Sequence, residues 1–276
     1  MNVHQIPKHF ERIGAKVEIA LLQESNRRGR TISPDFSIDI IEEKNNERFL
    51  FNVPKRIENE LFFQPLDVQP KERHLLLFVN NPISAEDNLT KQRFLCGHDE
   101  RHWFVAGING GATNVTKAME SLKPQAAVFS QRRNKVRQKN KNKRHNSGFI
   151  RQGEWFFIPR PKLVVKETSL LTIHKNEPLR RGGGKPHMVE EVYRTGGEVV
   201  YVCRHYPNGL TEWSYKKLLR THAPAKGYNW RVLRRNPRVY ARGKVKHSDH
   251  ATITLHDWHQ VQMNDEFSTR AVAFID

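Results

Sequence analysis

Short apolar runs broken by polar and turn residues fill the first half of the chain. "FSIDIIEE" (36–43) and "RFLFNV" (48–53) read as strands around an Asn45-Asn46 turn. "RHLLLFVNN" (73–81) is more continuously apolar, which predicts a central strand, and "QRFLCGHDERHWFVAGI" (92–108) predicts two strands around "GHDE". In "TNVTKAMESLKP" (113–124) the stripe Val115, Ala118, Met119, Leu122 has helical spacing, with Thr113 as the expected cap and Pro124 as the stop. Further on, "RQGEWFFIPRP" (151–161) predicts a buried strand ended by its prolines, and "EVVYVCRHY" (198–206) another strand. "TEWSYKKLLRTHAP" (211–224) predicts a helix capped by Thr211 that buries Tyr215, Leu218 and Leu219. "VYARGKVKH" (239–247) and "HATITL" (250–255) are separated only by Ser248-Asp249, which predicts a hairpin with a two-residue loop, and "WHQVQMN" (258–264) returns as a further strand. The expected class is mostly β (α+β): two small β-rich domains with about one helix each. No internal repeat is visible.

Charge divides the chain more sharply than the pattern does. Its 276 residues suffice for roughly two domains, and 37% hydrophobic content supplies a core. The net charge is +18. Residues 1–130 hold 17 Lys+Arg against 17 Asp+Glu, residues 131–148 hold eight cations and no acid, and residues 149–276 hold 22 against 12. The first part is thus neutral, and the excess lies in the central run and beyond. That run, with Arg132, Arg133, Lys135, Arg137, Lys139, Lys141, Lys143 and Arg144, reads as a flexible basic linker between domains 1–130 and 149–276. It is either a plain solvated connection or a segment that orders on a polyanion. Two cysteines, Cys96 and Cys203, make no disulfide framework and no CxxC zinc motif. No apolar leader or membrane-length run is present, so the expectation is a soluble, cytoplasmic protein with no membrane partner.

Several sites carry candidate chemistry. Across a two-residue loop, His247 and His250 would oppose each other on neighbouring strands, able to share a metal or a proton. His187 in "RRGGGKPHMV" is a third candidate, with Asp249 and His259 as further members. The alternative is a set of turn histidines in a chain that has 14 of them. "GGGK" lacks the GxxxxGK[ST] spacing, and Pro186 stands where a hydroxyl is required, so a nucleotide-hydrolysing loop is not expected. The loop beside Arg180, Arg181 and Lys185 can still lie along a phosphate backbone. "CGHDERH" gathers Cys96, His98, Asp99, Glu100 and His102, which suits a polar hairpin turn as well as a metal. Tyr228, Trp230, Arg231, Arg234, Arg235, Arg238, Tyr240, Arg242, Lys244 and Lys246 interleave rings and cations as single-stranded nucleic acid requires; core packing can equally claim Trp230 and Tyr240.

"RQGE" (151–154), a Gly-rich segment with His187, then "VKHSDHATITL" and a strand ending near Glu266 resemble a group of uncharacterised bacterial proteins. These open on an Arg-Gln-Gly-acid motif and carry a late His-x-x-His. The resemblance covers residues 151–266 and implies that Gln152, His187, His247 and His250 belong together. Where the group has a strand of aliphatics, this chain has Trp155, Phe156 and Phe157. The function expected is nucleic-acid binding, RNA before DNA, alone or within a ribonucleoprotein and without a cofactor, with residues 1–130 open to a protein partner. The alternative is a nucleic-acid hydrolase using His187, His247 and His250, with a divalent metal such as zinc.

Overall fold

Alternation of apolar side chains decides which sheet faces become core. The computed structural model describes all residues except 24, 28–29, 33–35, 44–45, 83–89, 166–172, 181–184, 267–273 and 276. With 50% strand and 19% helix, the chain has the β-rich α+β class expected. It divides into two units: Met1–Ser147 with two short later stretches, and most of the chain from Gly148 on. No helix among the described residues is long and apolar enough to cross a membrane.

In the first unit α1 (Pro7–Glu11) precedes β1 (Val17–Leu22), and β2 (Ser25–Arg27) pairs with β3 (Arg30–Ile32). β4 (Ser37–Glu43) runs antiparallel to β5 (Asn46–Pro54), and β1 joins the other edge of β5 in parallel. Asn45, half of the expected turn, lies outside the described residues. β6 (Phe62–Gln69), β7 (His74–Asn80), β8 (Lys91–Asp99) and β9 (His102–Gly107) form an antiparallel sheet in that order. β7 is therefore an inner strand, and its unbroken apolar run has a cause. Leu75, Leu77 and Val79 enter one core with Phe10, Phe49, Phe51 and Phe63, while Leu76 enters a second with Leu95 and Ala106. A strand covered on both faces has no reason to alternate.

The second core is closed by α2 (Val115–Ser121), which contributes Val115 and Ala118. Its cap is Asn114, whose side chain accepts from the Lys117 N–H at 2.9 Å, and not Thr113 as expected. Two further helices depart from the expected single one. α1 has five residues, too few to display a period, and α3 (Gln125–Arg133) follows immediately after Pro124, the proline read as a stop. Here Pro124 is the residue that precedes a helix.

The segment expected to be a flexible linker carries regular structure. It holds the end of α3, a 3-10 turn over Gln138–Asn140 and β10 (His145–Asn146). Gln131 is buried and donates to the Lys141 carbonyl at 2.7 Å; the Val136 N–H donates to the Gln131 carbonyl at 3.0 Å. Arg144 ion-pairs with Asp99 and, at 2.7 Å, with Glu100. Apolar periodicity is a poor guide here because the fold of this stretch rests on amide and charge contacts.

In the second unit β11 (Phe149–Gln152) and β12 (Trp155–Pro159) form a hairpin. β13 (Ile173–Leu179), β14 (His187–Thr195), β15 (Glu198–Cys203) and β16 (Tyr206–Thr211) follow. Then come α4 (Glu212–Thr221), β17 (Arg231–Arg235), β18 (Arg238–Lys246), β19 (Ile253–Met263) and β20 (Phe274–Ile275). One sheet has the order β11-β12-β19-β18-β14-β13, the other β16-β15-β17-β20. The chain leaves the first sheet for the second through Gly196 and Gly197, both at positive φ (70° and 81°). A Cβ on Gly197 would stand 2.8 Å from the Arg235 carbonyl oxygen. α4 is capped by Thr211 as expected, but none of its residues is fully buried; Tyr215 instead stacks on Tyr201 at 3.9 Å.

The hairpin of His247 and His250 is a correction. β18 and β19 pair antiparallel, but Val245 faces Ile253, so the connection is a longer turn and the two histidines are not cross-strand partners. The segments read as two strands, 250–255 and 258–264, are largely the single strand β19.

Candidate functional site

The end of β14 meets the end of β18. Met188 pairs with Lys246, and the same register carried one residue further sets His187 opposite His247. Paired bulges lie just inside this end, between Val189 and Glu191 on β14 and at Gly243 on β18. Gly243 has φ 84°, and a Cβ there would stand 2.6 Å from the Glu190 carboxylate, which accepts from the Lys244 N–H at 2.8 Å. The bulges re-aim the strand ends.

The two imidazoles stack, with centroids 4.1 Å apart and planes at 22°. His187 is almost completely buried, and its Nδ1 lies 3.0 Å from Oε1 of the fully buried Gln152. The Gln152 amide nitrogen donates to the Val245 carbonyl at 3.4 Å. A carbonyl accepts only, so the amide nitrogen must face Val245 and the amide oxygen must face His187. Nδ1 of His187 therefore donates to that oxygen. Oε2 of Glu154 stands 3.7 Å from Nε2 of His187, and the Trp155 ring lies edge-on to the same imidazole with centroids 6.4 Å apart. Nε2 of His247 faces the Lys185 carbonyl at 3.2 Å, which by the same rule makes Nε2 the donor. His250 belongs to the first unit, where its Nδ1 stands 3.5 Å from the Glu100 carboxylate. No family model, no curated protein and no solved structure matches the chain.

The other candidates separate. His259 is buried on β19, where its Nδ1 contacts the Asp257 carbonyl at 2.7 Å. In "CGHDERH", Cys96 lies in the core of the first unit, where burial pushes its thiol pKa up, and Asp99 holds Arg144. His102 contacts Glu47, whose second oxygen accepts from the Trp103 N–H at 2.8 Å. The pKa of His98, which packs edge-on to Trp103 at 5.0 Å, is lowered by burial and then by the Arg73 charge. His98, His102, Glu47 and Trp103 line an open cleft of about 700 Å³ with Lys16 and Arg101, but no metal-type donor group forms there among the described residues.

Among the expected nucleic-acid contacts, Arg132, Arg133, Lys135, Arg137, Lys139, Lys143, Arg180, Lys185, Arg231, Arg234, Arg238, Lys244 and Lys246 are exposed; Lys141 and Arg144 are half-buried. Arg181 and the glycines 182–184 lie outside the described residues. Arg235 pairs with Glu198, and Arg242 pairs with Glu191 while covering Trp258 at 4.6 Å. Tyr240 is core, against Tyr193, and Trp230 is half-buried with its ring N–H on the Ala225 carbonyl. Glu154 and Trp213 were not singled out from the sequence. Glu154 is the acid of the Arg-Gln-Gly-acid motif, which was its one available signal. Trp213 is 71% exposed with the Lys217 ammonium 5.1 Å from its ring, and nothing in a helix pattern marks it.

Proposed function

We propose that the protein binds nucleic acid, RNA before duplex DNA, as a binding or ribonucleoprotein component. The observation that carries this reading is the acid-free segment 131–148, whose cations Arg132, Arg133, Lys135, Arg137, Lys139 and Lys143 are exposed. Held on a folded backbone, they need less ordering when they meet phosphates than cations on a loose linker would. Arg231, Arg234 and Arg238 add exposed charge in the second unit, close in sequence to the half-buried rings of Tyr228 and Trp230. Rings beside cations suit unpaired bases more than a duplex groove. α4 is the one α-helix of that unit among the described residues, so a helix-turn-helix has no second helix there.

The test uses the full chain and a labelled single-stranded RNA, with affinity measured at several salt concentrations. Affinity should fall steeply with salt. Arg132→Gln/Arg133→Gln/Lys135→Gln should flatten the log–log slope by about 2, since each lost contact to a single strand removes ~0.7. A flat salt response in the parent, or an unchanged slope in the triple variant, sinks the proposal.

A second reading, a nucleic-acid hydrolase, is favoured by the stacked imidazoles of His187 and His247. Shortened RNA products from the parent and none from His247→Ala would support it. Intact RNA with the parent, with and without added divalent metal, would remove it.

A further inference from the structure

We propose that the stacked rings between Tyr201 and Trp230, all within the second unit, are a platform for the unpaired bases of single-stranded RNA. This rests on the RNA-binding reading and gives it a base-contacting site. Three parallel pairs make up the set. Tyr201 lies on Tyr215 with centroids 3.9 Å apart and planes at 4°, Tyr206 on Trp230 at 5.7 Å and 18°, and His205 on Tyr228 at 4.4 Å and 29°. The inner rings meet at an angle: Trp230 stands edge-on to Tyr215 at 5.0 Å and tilted to Tyr228 at 6.1 Å.

The first ground is which ring faces are taken. Among the described residues Tyr215, Trp230 and Tyr228 each touch at least two other rings, whereas Tyr201, Tyr206 and His205 each touch one. An end ring stacked on one side keeps its second face for another flat group, and every base has such a face. The second ground is exposure. None of these six rings is buried, while Phe10, Phe49, Phe51 and Phe63 in the core of the first unit are 0% exposed. Rings gathered only to fill a core have no reason to stay at the surface. Val232, the cross-strand partner of Tyr201 and so on the same sheet face, is 61% exposed, which leaves that face open beside the ring.

The third ground is charge, and it selects the occupant. Residues 204–235 hold eight Lys+Arg against one acid, Glu212, which pairs with Lys216 at 2.6 Å. Arg204, Arg220, Lys226 and Arg231 are exposed. An apolar protein segment would gain from the rings but not from the cations. A polyanion without bases would gain from the cations alone. A single strand uses both, with bases on the ring faces and phosphates on the cations. In a duplex the bases stack on one another and their faces are closed to the protein.

Two labelled probes of equal length are titrated into the full chain: an oligouridylate and the same sugar–phosphate backbone without bases. Tyr201→Ala and His205→Ala should each weaken oligouridylate binding about 5–150-fold, the worth of one stacked base. Affinity for the abasic strand and the salt slope should stay as in the parent, because no phosphate contact is lost. Tyr201→Phe and His205→Phe keep a flat ring and should bind oligouridylate close to the parent. Parental affinity of both Ala variants overturns the platform and leaves RNA binding through cations standing. So does an equal loss on the abasic strand, or a parent that holds both probes equally. A parent that binds neither probe overturns the platform together with the RNA-binding reading. Circular dichroism checks the fold; if Tyr201→Ala unfolds, His205→Ala, at an exposed position, decides.

Discussion

Cys96 is completely buried in the middle of β8, and burial pushes its thiol pKa up. A thiol reacts as thiolate, so Cys96 should resist iodoacetamide in the native protein at pH 8 and label fully in denaturant. Rapid native labelling, mapped by mass spectrometry, would contradict the packing. The same burial has a pH consequence. Above the ordinary thiol value of 9.0 the unfolded chain loses this proton while the folded chain keeps it, so the unfolded state binds fewer protons and stability falls as pH rises. The slope is at most about 1.4 kcal/mol per pH unit for one group. Cys96→Ala should lose less stability than the parent between pH 9 and pH 10.5 in urea melts, and parallel losses would count against it.

At the scale of elements, what the sequence discloses depends on how local the cause is. β4, β5, β7, β8 and β9 were legible because each is a short apolar run bounded by turn residues, and α4 because Thr211 caps it. α3 was hidden by its own composition, and the following segment by the nature of its contacts, the Gln131 amide and the Arg144 guanidinium. The pairing of β14 with β18 joins residues 43 (Thr195 with Arg238) to 58 (Met188 with Lys246) positions apart, and no local signal announces it. The site was therefore half readable: the residue types and the turn histidines could be named, but the strand that meets His247 could not. The bulge at Gly243 belongs to this long-range pairing. Gly243→Ala places a side chain at φ 84° and against the Glu190 carboxylate, and should cost about 1–3 kcal/mol. Gly227→Ala, with open space around the added methyl group and no positive φ, should shift the urea midpoint little. Equal midpoints for both variants would deny the bulge its role.

For the whole molecule, the folded central segment redistributes charge. Residues 1–147 hold 25 Lys+Arg against 17 Asp+Glu, where residues 1–130 were balanced. The first unit is thus cationic through the one segment that sequence reading assigned to neither domain. Affinity for RNA should then not reside in the second half alone. In salt titrations the full chain should give a steeper slope than variants neutralised either in 132–143 or in 231–246, since each keeps only part of the contacts. A slope unaffected by neutralising 132–143 would return the binding to the second unit.

The bond between His187 and Gln152 also has a spectroscopic side. A ring N–H shut away from water, donating to an amide that cannot turn, exchanges its proton with solvent slowly. Such a proton survives long enough to be seen as a separate downfield line in a proton NMR spectrum, apart from the crowded amide envelope. The molecule thereby carries its own indicator of the state of that ring, readable without a label and lost in a single step if the pocket opens.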